Sequence, residues 1–185
     1  KEIGEVSQMI EIRWHGRGGQ GAKTAALLMG EAAAAAGKYI QAFPEYGPER
    51  MGAPVTAYNR ISTTPIQLHC GVTNPKYVVV LDSTFIGTVD VTNGLAEGGA
   101  VLVNTPEDPA TVRNRLGLSS RADVSVYTVD ANQIALDTIG RAIPNTPMLG
   151  ALARASGILT LEELLEDTKK KLTVKFRNKP EVIEG

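Results

Sequence analysis

Ile10-Glu11-Ile12-Arg13-Trp14-His15-Gly16-Arg17-Gly18-Gly19-Gln20-Gly21-Ala22-Lys23-Thr24 is the stretch that decides the fold. Its first five residues alternate apolar and polar side chains, the period of a strand. Glycines 16, 18, 19 and 21 break that pattern, and residues 22–36 follow, rich in Ala and Leu, without proline and closed by Gly37. Such a segment is a helix with a glycine stop. A strand, a glycine-rich turn and a helix, in that order, open an α/β sheet.

Strand-like and helix-like stretches keep alternating beyond it. Residues 39–43, 54–61, 77–81, 100–103 and 124–129 read as strands, and Val78-Val79-Val80 has the unbroken β-branched character of a strand covered on both faces. Helices are expected over 84–95, 108–116 and 131–142, each after a strand. Residues 148–156 and 161–172 add two more, the second opened by Thr160 with Glu163 three residues on, the spacing of a capping box. Asn145-Thr146-Pro147 reads as the start of the first of these, with Pro147 at the first helical position. The expected architecture is α/β: a Rossmann-like, mostly parallel sheet with helices on both faces, plus a C-terminal helical extension and arm. One domain is expected over 9–172, with the charged arm at 173–185.

Composition narrows the function. With 19 basic and 20 acidic residues among 185, the formal net charge is −1, which disfavours a nucleic-acid binder. The one cysteine, Cys70, cannot build a disulfide framework, a multi-thiolate zinc site or an iron–sulfur cluster within the chain. No apolar run reaches the roughly 18–20 residues that span a bilayer. The expectation is a cytoplasmic globular domain, with no nucleic acid and no membrane among its partners.

The glycine turn is the leading site candidate. Gly16, Gly18 and Gly21 fit G-x-G-x-x-G, and Gly16, Arg17, Gly18, Gly19, Gln20 and Gly21 together form a turn whose amides and following helix favour an anion. Arg17 would add a bidentate phosphate contact. A dinucleotide site also wants an acidic residue about 20 positions on, at the end of the second strand. Glu45 falls 24 residues past Gly21, behind Pro44, a poor match. A P-loop wants its lysine directly after the last glycine; Lys23 comes one residue late and is turned by about 100°.

Residues 43–54 carry three prolines and two glycines, a stiff loop suited to ligand contact or docking. Asp82, Asn104 and Asp130 each follow a strand; helix capping is the stronger reading for them. His69 and Cys70 are neighbours pointing to opposite faces of an extended chain, which argues against a nucleophile–base pair. His15 stands at the glycine turn, placed either to meet a ligand or to tie down backbone. The basic run Lys169, Lys170, Lys171, Lys175, Arg177 and Lys179 reads first as a solvated face and second as a docking arm for an acidic partner.

Residues 12–25, 41–54 and 145–151, taken as an ordered set, resemble the gamma subunits of the 2-oxoacid:ferredoxin oxidoreductases. The Arg50-Met51-Gly52-Ala53-Pro54 ending is more similar to the pyruvate branch, the pyruvate:ferredoxin oxidoreductases or pyruvate synthases. The resemblance implies a hetero-oligomer that converts a 2-oxoacid and coenzyme A to acyl-CoA, CO2 and reduced ferredoxin. It implies alpha, beta and delta subunits as partners, with thiamine diphosphate, Mg and [4Fe-4S] clusters held by other chains. This chain is then a non-catalytic subunit with no resident cofactor. Its expected coenzyme A-facing or subunit-facing residues are the six of the glycine turn together with Glu45, Tyr46, Arg50 and Asn145. Two other readings stand beside it: a free-standing NAD- or ATP-binding enzyme, and a pure scaffold.

Overall fold

The computed structural model describes residues 9–45 and 52–175. Strands β1 (Ile10–Arg17), β2 (Tyr39–Pro44), β3 (Pro54–Ser62), β4 (Tyr77–Val80), β5 (Ala100–Asn104) and β6 (Ser125–Val129) form one sheet in the order β2-β3-β1-β4-β5-β6. Pairing is parallel from β1 through β4 and β5 to β6. It is antiparallel between β1 and β3 and between β3 and β2. β3 therefore runs against the other five, and the sheet is mostly parallel as the sequence implies. After α1 (Ala22–Ala35) the chain returns in β2 two strand positions from β1, and β3 doubles back to fill the place between them.

Alternation along β1 sorts its side chains. Ile12 and Trp14 join a core cluster with the α1 residues Ala22, Ala25, Ala26, Met29 and Ala33. Trp14 is fully buried, and its indole Nε1 donates to Asn59 Oδ1 at 2.8 Å, while Asn59 Nδ2 donates to the Ala26 carbonyl at 2.7 Å. This polar pair thus fixes α1 to the sheet. Helices α4 (Asn145–Ser156) and α5 (Leu161–Lys175) complete this side, α5 resting on α1 and α4. On the opposite face Val78, Val80, Val101 and Val103 pack with Val112 of α2 (Pro109–Arg115) and with Phe85, Ile86, Val91 and Leu95. Helix α3 (Ala131–Ile139) links β6 to the α4 side.

Three expectations are corrected. The helix expected over 84–95 is a 3-10 turn at Ser83–Phe85 followed by turns. Gly94 has φ 70° and lies so close to Thr73 that a Cβ would stand 2.0 Å from the Thr73 carbonyl oxygen, so the backbone follows a loop that only glycine fits. Pro147 is the third residue of α4, not the first; the position still needs no donor, because first-turn amides have no partner within a helix. Helix α5 runs on to Lys175, three residues into the expected arm, whose remainder lies outside the described residues.

Two of the three capping readings hold: Asp82 Oδ1 accepts from the Thr84 amide and Asp130 Oδ1 from the Gln133 amide. Asn104 does not cap the helix that follows it, α2, whose cap is Asp108; its Oδ1 accepts from the amides of Ala131 and Asn132 at the start of α3. Thr160 and Glu163 exchange the reciprocal bonds of a capping box at 2.8 and 3.1 Å.

Candidate functional site

β1 and β4 are neighbouring parallel strands, and the chain leaves them in opposite directions across the sheet: β1 leads through α1 to the β2 edge, while β4 leads towards β5 and β6. The crevice at their carboxyl ends is the topological switch point, where open α/β sheets place ligands. Residues 16–21 form one lip of it and Asp82 the other.

The turn is braced from within. The Arg17 amide donates to Gln20 Oε1 at 2.7 Å, and the Gln20 amide to the Arg17 carbonyl at 3.0 Å. The Gly18 amide donates to the Ala53 carbonyl at 2.9 Å, and the Gly52 amide to the Gly18 carbonyl at 3.2 Å. Gly52 and Ala53, just before β3, are thereby paired to the glycine turn; Phe43 and Pro44 of the expected loop belong to β2 and Pro54 to β3. Arg17 Nε and Gln20 Nε2 both donate to Asp82 Oδ2, at 3.0 and 2.9 Å. The remaining Arg17 contacts are Nη1 to the Gly52 carbonyl, Nη2 to Thr84 Oγ1, and the guanidinium stacked 4.6 Å from the Phe85 ring centroid.

The expectation of Arg17 as a phosphate clamp therefore meets a guanidinium already directed at a carboxylate. Burial by itself would raise the Asp82 carboxyl; hydrogen bonds from Thr84 and Gln20 and the Arg17 charge outweigh it and hold the carboxyl below the usual range. Asp82 stays ionised, and the pair with Arg17 is neutral overall.

What faces outward is the second half of the turn. Among the described residues the amides of Gly19 and Gly21 have no partner, and α1 has no side-chain cap, which leaves the first-turn amides of Ala22, Lys23 and Thr24 free as well. Asn145, at the start of α4, sits directly against Gly21: a Cβ on Gly21 would lie 2.5 Å from Asn145 Nδ2, and Gly21 has φ 84°. Asn145 Oδ1 accepts from the Thr146 amide at 2.8 Å, so its Nδ2 is the end left to donate. Two helix N-termini meet here, and their dipoles favour negative charge.

The other sequence candidates fall elsewhere. Glu45 is exposed and accepts from Tyr58 Oη at 3.0 Å, away from the glycine turn's own partners. That bond, after burial, pushes the Tyr58 phenol up to about 12. Tyr46 and Arg50 lie outside the described residues. His15 is 8% exposed, with Nε2 unpartnered, and burial beside Arg13 pushes it down to about 4. Cys70 is exposed, and Arg60, a buried guanidinium paired with Glu11 at 2.7 Å, stands 3.8 Å from its Sγ. Sequence reasoning took Asp82 as a cap and missed its second role. The signal was an acid at the end of the strand next to β1, but which strand neighbours β1 is a property of the sheet.

Among the described residues no group of three or more His, Cys, Asp or Glu side chains is arranged to hold a metal ion, and no helix is long and apolar enough to cross a membrane. The dinucleotide reading fails on topology. Glu45 lies beyond the end of β2, and β3 stands between β2 and β1, which moves that acid about 10 Å, two strand spacings, from the glycine turn.

The fold and site define an α/β protein with a glycine turn opening at a topological switch point. The chain belongs to the pyruvate ferredoxin/flavodoxin oxidoreductase family, whose model matches residues 11–185. It is 50% identical over 171 residues to pyruvate synthase subunit PorC of Thermotoga maritima, covering 92% of this chain and 86% of that one. It is also 50% identical over 161 residues to the pyruvate/ketoisovalerate oxidoreductases common subunit gamma of Thermococcus litoralis, with 87% and 85% covered. The crystal structure of pyruvate oxidoreductase subunit PORC from Thermotoga maritima superposes with a TM-score of 0.79 at 47% identity, covering 95% of this chain and 89% of that one.

Proposed function

We infer that this chain is the gamma subunit of a multi-subunit 2-oxoacid:ferredoxin oxidoreductase, pyruvate being the substrate its relatives' names favour. The observation that carries the reading is likeness along nearly the whole chain to solved and curated subunits of pyruvate-oxidising enzymes. In the reaction, a 2-oxoacid loses CO2, its acyl group passes to the coenzyme A thiol, and two electrons reduce ferredoxin. A [4Fe-4S] cluster takes four thiolates and this chain has one cysteine. The clusters, with thiamine diphosphate and Mg, belong in this reading to alpha, beta and delta partners. The assembly is cytoplasmic.

The chain's own contribution is the rim at the switch point. Coenzyme A carries a pyrophosphate and a 3′-phosphate, groups suited to free amides at a helix start. The Gly19 and Gly21 amides, the first turn of α1 and Asn145 Nδ2 supply such donors. Arg17, neutralised by Asp82, holds the turn and leaves ligand contact to the amides.

The test is to isolate the native assembly and identify its chains by mass spectrometry, then follow ferredoxin reduction. The expected result is co-elution with cluster-bearing chains and reduction that requires both pyruvate and coenzyme A. Recovery of this chain alone, turning over a substrate unaided, overturns the reading.

A further inference from the structure

We propose that Asp82 is the positioning residue of the glycine turn, fixing through Arg17 and Gln20 the backbone whose free amides face coenzyme A; this rests on the coenzyme A reading above. An acid that only caps a helix needs one oxygen for the task, as Asp130 does with the Gln133 amide. Asp82 divides its two. Oδ1 accepts from the Thr84 amide at 3.0 Å and the Thr84 hydroxyl at 2.6 Å, which secures its own turn. Oδ2 reaches across to the next strand's loop and takes Arg17 Nε and Gln20 Nε2.

Gln20 makes the second contact mechanical. Its Nε2 is held by Asp82 while its Oε1 accepts the Arg17 amide at 2.7 Å. One side chain therefore spans the turn from the end of β4 to the end of β1. With the Arg17 and Gln20 amides occupied inside the turn and the Gly18 amide taken by the Ala53 carbonyl, those of Gly19 and Gly21 are the ones left without a partner among the described residues. The Asp82 side chain is 13% exposed and Arg17 34%, so the link is partly shielded from water and is worth more than a surface ion pair. Releasing it lets the turn sample backbone states in which the outward amides no longer converge. That loosens a ligand held by those amides and leaves chemistry on other chains untouched.

The test uses the assembled oxidoreductase. Asp82→Asn keeps the side chain's size and its acceptor for Thr84 but presents Arg17 and Gln20 with a donor. The expected result is a rise of about tenfold in KM for coenzyme A, the scale of one lost charge-assisted hydrogen bond, with kcat and KM for pyruvate unchanged. Gln20→Met, which spares the Asp82–Arg17 pair, gives a smaller rise in the same constant and serves if Asp82→Asn fails to assemble. Asp108→Ala removes the cap of α2, whose bonds go to Ala110 and Thr111 and not to the turn, and leaves KM for coenzyme A as it was; an equal rise there reduces the Asp82 effect to general destabilisation and overturns the proposal. Asn145→Asp sets a negative charge against Gly21 and reports on the coenzyme A reading itself. A rise with Asn145→Asp but none with Asp82→Asn or Gln20→Met overturns the positioning role alone. No rise in any of the three overturns both.

Discussion

Gly21 and Asn145 stand so close that a single added methyl on the glycine would lie 2.5 Å from the Asn145 amide nitrogen. This contact joins the amino ends of α1 and α4, elements more than 120 residues apart in the chain. Gly21→Ala meets two penalties, about 1–2 kcal/mol for a left-handed backbone and a further 1–3 kcal/mol, roughly, for the clash. Thermal unfolding is expected to show both in Gly21→Ala and only the first when Asn145→Gly is added. Equal losses in the two backgrounds contradict the contact.

Trp14 and Asn59 are both fully buried and bonded at 2.8 Å. Asn59→Ala leaves the indole N–H without an acceptor where water does not reach, at about 2–4 kcal/mol including the small cavity. In a Trp14→Phe background the donor is gone, and the same substitution is expected to be milder. Urea unfolding of the four chains measures this coupling, and strict additivity speaks against it.

His15 makes stability depend on pH. Burial, then Arg13, lowers it from 6.5 to about 4 in the folded chain. Below 6.5 the unfolded chain binds a proton that the folded chain refuses. The favourable contribution is therefore whole above pH 6.5, declines as pH falls towards 4 and is gone below that, a loss of about 3 kcal/mol. Replacing His15 by Asn is expected to flatten the unfolding free energy between pH 6.5 and 4 by one proton's slope. An unchanged slope refutes the assignment.

Thr160 and Glu163 bond reciprocally at the start of α5. Thr160→Ala is expected to lower stability by about 1 kcal/mol, whereas Thr160→Ser retains it. Hydrogen exchange at the first turn of α5 reports the difference directly.

Much of this fold was legible because its signals are local. All six strands stand where period-two alternation or valine runs put them, and α1 ends beside the expected Gly37. The reversed direction of β3 was not legible, since direction is settled by which strands it pairs with, and the sequence of residues 45–53 permits either. Residues 84–95 misled because the alternation of strands and helices calls for a helix after β4, whereas Gly87 and Gly94, both with positive φ, turn the chain instead. Of the site, the glycine turn and Asn145 were named from sequence, and they meet. Glu45 was named as well, but joins Tyr58 instead. The charge on Arg17 was visible; its neutralisation by Asp82 came only with the pairing of β1 and β4.

Hydrogen–deuterium exchange on the assembled oxidoreductase, with and without coenzyme A, bears most directly on the role given to the rim. Peptides covering Gly19 to Thr24 and the Asn145 turn are expected to exchange more slowly when coenzyme A is bound, because their free amides acquire acceptors. Unchanged exchange in those peptides at saturating coenzyme A would contradict that role.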